Sequence, residues 1–249
     1  MALPLRPARG RFAATVLPTL LALLLIALFV RLGMWQWQRG ERSEAAAARF
    51  AQGSDRVLAL GAGDASDLPL YQRVSAQGEL DGAHQFLLDN RSFHGQPGYE
   101  VLTPLTRTGA ATVIVDRGWV PFTGSRSHLP DVSVPASGPV QLTGRVALLP
   151  SPGLALGRAP PAAGAWPKVT SFPDMAQLAA ALGVPRGALA TRILLLDPDS
   201  PVGYARAWQP PGLPPLRHYA YAVQWWSFAA LALVGWLLLS RRPVAGAGR

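Results

Sequence analysis

"RHYAYAVQWWSFAALALVGWLLLSRR", residues 217–242, decides how the rest of the chain is read. From Tyr219 to Leu239 it runs 21 residues without a charge. At about 1.5 Å of helix rise per residue, that length crosses a hydrocarbon layer of about 30 Å, so the stretch reads as a transmembrane helix. A histidine, two tyrosines and a glutamine stand at its mouth, and an imidazole in that place needs a chemical reason. Toward the other terminus, Phe12–Val30 is a second uncharged run of 19 residues, preceded by Arg6, Arg9 and Arg11. A cleavable signal peptide has the same outline, but this run is long and no small-x-small site follows it. Arg31, Trp35 and Trp37 come next and suit an interfacial aromatic belt, so the segment reads as an uncleaved anchor.

Two spans divide the chain into a tail (1–11), a transmembrane helix (12–32), a β-rich domain (33–217), a second transmembrane helix (218–239) and a second tail (240–249). All 14 acidic residues lie between Gly33 and Arg217, against 16 Lys and Arg there, while the tails hold six arginines and no acid. By the positive-inside tendency both tails are expected in the cytoplasm and the central domain outside it. Arg31, Arg39, Arg42 and Arg49 on the domain side count the other way, but long domains translocate largely regardless of such charge. The formal charge of +9 is therefore a topological signal, and without a basic patch interleaved with aromatics no nucleic-acid partner is expected.

The chain has no cysteine, which excludes disulfides, c-type haem attachment and thiolate metal sites. Three methionines argue against a Cu(I) carrier, since soft sulfur ligands select that ion. The four histidines, His84, His94, His128 and His218, form no close pair. No G-x-S-x-G elbow, phosphate loop, H-E-x-x-H or dinucleotide fingerprint is present, so no enzymatic activity is expected. Asp197 and Asp199 sit in "DPDSP", a turn composition that favours solvated loop carboxylates over an acid/base dyad.

Residues 31–50 can continue the first helix outward, although Gly40 weakens that helix. Short alternating or β-branched runs follow at 72–80, 85–90, 99–105, 112–120, 140–148 and 192–197, separated by "DG", "HGQPG", "RTGA" and "SGP". This spacing predicts a mainly antiparallel sheet or partly closed barrel, with a core including Val113, Val115, Leu142 and Val146. One short helix interrupts it, "DMAQLAAALG", with Asp174 as N-cap and Gly183 as C-terminal stop. The Pro-rich stretches at 150–167 and 208–215 read as loops and a linker.

"LGMWQWQRGE", "YQRVSAQGEL", "LLDNRSFHGQPGYEVLTPL", "VIVDRGWVP" and "HYAYAVQWW", in that order between residue 32 and residue 226, resemble the surfeit locus protein 1 family of cytochrome c oxidase assembly factors. The resemblance is weak from 150 to 190, and Asp116 and Ala220 stand where the family more often has Asn and Gly. It implies a multi-pass protein of the bacterial inner membrane with a periplasmic domain. It further implies haem a as bound cargo, with cytochrome c oxidase subunit I and the haem a synthesis machinery as partners beside the lipid bilayer. In the family a histidine before the Tyr-Ala-x-Gln-Trp motif is the proposed axial ligand of the haem iron, and His218 matches that place.

On a helix His218, Tyr221, Ala222 and Trp225 share a face, which offers an imidazole beside flat apolar walls. Arg31, Trp35, Gln38, Arg39 and Arg42 share a face of the first helix, and arginine forks match the carboxylates of haem propionates. The candidate haem site is thus His218, Tyr221, Trp225, Trp35, Arg39 and Arg42, with the macrocycle between the two spans. The plainer reading makes Trp35, Trp37, Tyr219, Trp226 and even His218 interface anchors. Gln224, an amide facing lipid, is expected to bridge to the first span. Arg117 and Trp119 read as core and turn residues at a strand end or, more sharply, as a contact surface for oxidase subunits. The alternative function is a membrane scaffold that stabilises an oxidase assembly intermediate without binding haem.

Overall fold

The computed structural model describes residues 11–12, 16–53, 56–63, 65–134, 138–151, 159–210 and 212–242. The chain forms two compact units: residues 1–46 with 210–249, and Ala47–Gln209.

In the first unit, β1 (Arg11–Phe12) pairs antiparallel with β10 (Arg241–Arg242), and two long helices lie between them in sequence. Helix α1 (Val16–Gln52) has 37 residues, about 55 Å of helix, so it far exceeds the hydrocarbon layer. Its last residues, from Ala47, belong to the β unit. Pro18 falls in its first turn, where a missing N–H costs nothing. Helix α3 (Pro215–Leu239) starts on Pro214–Pro215, with its φ already set for a helix. Both helices are long and apolar enough to cross a membrane.

They pack antiparallel, as the ladder of contacts requires. Trp236 Nε1 donates to Thr19 Oγ1 at 3.2 Å, Phe29 stacks on Trp225 at 5.8 Å, and Tyr219 donates to Glu44 at 2.8 Å. Two glycines permit the approach. A Cβ on Gly33 would lie 2.2 Å from Trp226 Nε1, and one on Gly40 would lie 2.5 Å from Tyr219 Cε1. Gly40, a weak helix residue in isolation, is therefore where a tyrosine ring rests on bare backbone.

The second unit is a β-barrel whose sheet continues into flanking strands. Its strands are β2 (Leu58–Ala59), β3 (Arg73–Leu80), β4 (Phe86–Phe93), β5 (Gln96–Thr106), β6 (Val113–Pro121), β7 (Pro139–Ala147), β8 (Lys168–Thr170) and β9 (Ile193–Leu196). Their order is β2-β3-β7-β9-β6-β5-β4-β8. A further antiparallel pairing, Glu79↔Thr106 and Leu80↔Leu105, joins β3 to β5 and closes β3-β7-β9-β6-β5 into a five-stranded barrel. Closure joins β3 to β5 and leaves only the short strands β2 and β8 at the ends of the sheet.

The barrel core holds Val74, Leu80, Leu105, Val113, Val115, Leu142, Val146, Leu194 and Leu196, including all four expected core residues. A second apolar layer, Phe86, Leu88, Leu102 and Ile114, is covered by Leu178 and Ala179 of α2 (Met175–Leu182). That helix has the limits its sequence sets. Asp174 and Gln177 form a reciprocal capping box, and Gly183 ends the helix at φ 71°. His94 and Gly95, both at positive φ, make the tight turn between β4 and β5.

Besides β1 and β10, which fall in or beside the expected tails, two strands differ from the sequence reading. β2 and β8 lie in stretches expected to be loop or next to one; each is two or three residues long and pairs in parallel with a longer strand. Asp197 is also no solvated loop carboxylate, because it directly follows β9, is buried, and forms an ion pair with Arg73 of β3.

Candidate functional site

The imidazole at the mouth of α3 has a partner. His218 Nδ1 lies 2.9 Å from Oε1 of Gln36 on α1, and both residues are half-buried. A carboxamide oxygen only accepts, so a neutral ring making this bond carries its proton on Nδ1 and keeps a lone pair on Nε2. Among the described residues Nε2 makes no hydrogen bond. The expected bridge between the helices therefore exists, but Gln36 makes it with His218, whereas Gln224 is exposed.

Trp225 stands two turns beyond His218, stacked on Phe29 and edge-on to Phe228, each at 5.8 Å. Ala222 between them is fully buried. The structure thus brings His218, Ala222 and Trp225 together with Gln36 and Phe29. Tyr221 lies on the flank of the same face and is 46 % exposed.

The arginines are placed differently. At about 100° per residue, Gln36 lies about 60° around α1 from the Gly33 contact, Arg39 about 120°, Trp35 about 160° and Arg42 about 180°. Arg39 is at the shoulder of the His218 side, its guanidinium 5.6 Å from the Trp35 ring centre. Trp35, Arg42, Arg31 and Gln38 point away from α3 and are exposed. Arg31, Trp35 and Gln38, with Leu32 and Met34, line a groove of about 490 Å³ on that outer side. Tyr219 and Trp226 pack on the glycines of α1.

A haem is not part of the structure, but the donor set on the His218 side suits one. It offers a half-buried imidazole bonded through Nδ1, aromatic residues at Phe29 and Trp225, and Arg39 on the shoulder. Gln36 and Phe29 were missed by sequence reasoning. Gly33 and Gly40, seven residues apart, mark the face of α1 that meets α3, and Gln36 lies between them on it.

The β unit holds no rival ligand cluster among the described residues. His84, His94 and His128 are exposed on separate loops, His84 bound to Asp81 at 2.7 Å. Arg117 is a core residue, 1 % exposed. Its guanidinium donates to Val202 O at 2.7 Å, Gln85 Oε1 at 2.9 Å, Val132 O at 3.2 Å and Ser133 O at 3.3 Å. It also lies 4.8 Å from the Tyr204 ring centre, and burial holds its pKa below the usual arginine value. It ties the 132–133 and 202–204 loops to the barrel. Asp116 beside it is 1 % exposed and takes an N–H from Gly118 at 3.0 Å. Burial first, and then the nearby Glu100, push its carboxyl well above the ordinary range.

Two membrane-length helices that flank a closed barrel in sequence, with an imidazole on the helix seam, define a membrane-associated β-barrel protein. The profile of the SURF1 family matches residues 23–230. The chain belongs to that family. It is similar to an uncharacterised SURF1-like protein of Mycobacterium bovis and to others from two strains of Mycobacterium tuberculosis, each 34% identical over 166 residues. The matched part covers 66% of this chain and 58% of the length of those relatives.

Proposed function

We propose that this chain is a non-enzymatic assembly factor for a haem-copper cytochrome c oxidase, holding haem a as cargo and assisting its insertion into subunit I. The SURF1 family is involved in cytochrome c oxidase assembly and is a family of assembly factors rather than enzymes. The observation that carries the haem reading is the His218–Gln36 bond through Nδ1, which leaves Nε2 of the ring for a metal, with Trp225 two turns along the same face. When bound, haem supplies an iron that takes an axial nitrogen ligand and an apolar macrocycle with two charged propionates. His218 would hold the iron, Trp225 and Phe29 would cover the ring, and Tyr221 would flank it. Arg39 would offer its guanidinium to a propionate. The mouth of a span serves both halves of the group, because the bilayer centre would strand the propionates.

In this reading the protein lies in the bacterial inner membrane, with residues 1–11 and 240–249 in the cytoplasm and the domain of 33–217 in the periplasm. The exposed outer face of α1, with Trp35 and Arg42 turned from His218, favours a second reading: a scaffold that meets an oxidase intermediate there and binds no haem. Complementing a strain that lacks the chain separates the two. His218→Ala should reach normal levels in the membrane yet leave the oxidase short of haem a. Full haem a content with His218→Ala would remove the haem-ligand reading and leave the scaffold.

A further inference from the structure

Gln36 is the one residue of α1 whose side chain bonds His218, and its setting is rigid. Gly33 lies three residues before it under Trp226, and Gly40 four residues after it under Tyr219. Both ring-on-glycine contacts would have to break before α1 slid along or rotated against α3. Tyr219 is held in turn by its bond to Glu44 at 2.8 Å and its ring contact with Trp37 at 4.7 Å. Trp37 donates to Glu41 at 3.0 Å and stacks on Trp226 at 5.7 Å. The carboxamide of Gln36 therefore meets the imidazole from a fixed position.

We propose that Gln36 is the positioning residue of His218: by accepting the Nδ1 proton it selects the tautomer with a free Nε2 and fixes the plane of the ring. This rests on the reading of His218 as a haem ligand, which it deepens. A free histidine favours the opposite tautomer, with the proton on Nε2 and no lone pair there. A hydrogen bond to the remote nitrogen of a ligating imidazole also raises its basicity, and losing such a partner typically lowers affinity about 10–100-fold. Gln36 acts through His218 and needs no contact with the cargo.

The test begins without haem. Full-length protein labelled with ¹⁵N-histidine is placed in lipid nanodiscs at a pH where imidazole is neutral, and the His218 signals are assigned by difference from His218→Ala. The wild type should show the Nδ1–H tautomer. Gln36→Leu, similar in volume but with no acceptor, should revert to Nε2–H. Gln36→Glu keeps an acceptor at the same reach and should restore Nδ1–H. Wild type in the Nε2–H form, or Gln36→Leu unchanged from wild type, would overturn the proposal.

Haem a is then titrated into the same three proteins. Gln36→Leu should bind about 10–100-fold more weakly than wild type. Gln36→Glu should retain axial ligation, with a lower midpoint potential because the imidazole becomes more electron-rich. Equal affinity and equal potential in all three would overturn the positioning role. If the tautomers behave as stated and the wild type binds no haem a, the haem reading fails while the assignment of Gln36 stands.

Discussion

Replacing a helical glycine by alanine normally helps, by at most about 1 kcal/mol, so the sign of the effect at Gly40 tests the packing of α1 on α3. A Cβ there would sit 2.5 Å from Tyr219 Cε1, whereas ordinary carbon contacts are at about 3.5–4.0 Å, so the ring must retreat by about 1 Å. That movement breaks the 2.8 Å bond from Tyr219 to Glu44. It also disturbs the 4.7 Å contact with Trp37, worth about 0.5–1.5 kcal/mol. Overpacking of this kind costs about 1–3 kcal/mol, which matches or exceeds the propensity gain, so Gly40→Ala should destabilise by up to about 2 kcal/mol. Gly33→Ala should behave alike, with its Cβ 2.2 Å from Trp226 Nε1. Gly235→Ala is the control, because a Cβ there meets nothing within 4 Å. The assay is reversible unfolding of the three variants in mixed micelles, followed by tryptophan fluorescence. Stabilisation at Gly40 or Gly33 equal to that at Gly235 would refute the close approach of the two helices.

Asp116 has a carboxyl raised in the folded state by burial and by Glu100, so the fold favours its protonated form. Its contribution is fully present below the unfolded carboxyl range and falls as pH climbs from about 4 through the raised value. Asp116→Asn, which keeps an acceptor for the Gly118 N–H, should raise the melting temperature at neutral pH and not near pH 4; equal shifts at both would contradict this. Arg117→Lys keeps the charge buried but cannot reproduce a fork that reaches Val202, Gln85, Val132 and Ser133. It should cost about 2–4 kcal/mol in chemical denaturation of the full chain, and a loss under about 0.5 kcal/mol would show that those bonds are dispensable. A periplasm-active reporter inserted near Gly63 should be active and one fused after Arg249 silent; the reverse pattern would invert the topology.

What the sequence made legible was local chemistry. Asp174 and Gly183 bound α2 because caps are set within four residues, and Val113, Val115, Leu142 and Val146 alternate as a barrel interior must. Closure was not legible as such, since it depends on Glu79 meeting Thr106 across a long chain separation. β2 and β8 escaped because two or three residues carry no period, and their pairing is supplied by β3 and β4. Arg117 reads as a core or turn residue at a strand end and is buried, but the loops that accept its hydrogen bonds are not legible until they are in place. At the helix pair, the histidine and its neighbours were visible in sequence, but the facing residue was not. Gln224 and Gln36 are both amides near the interface, and only the side of α1 marked by Gly33 and Gly40 decides between them.

The central claim, that His218 offers a haem ligand at the mouth of α3, is tested most directly by the optical spectrum of protein purified from cells that make haem a. Wild type should carry haem a with the Soret band of an imidazole-ligated iron. His218→Ala, at equal yield and helix content, should lose that band, while a variant lacking His84, His94 and His128 together should keep it. Haem a retained by His218→Ala with an unchanged spectrum, or its absence from the wild type, would contradict the account.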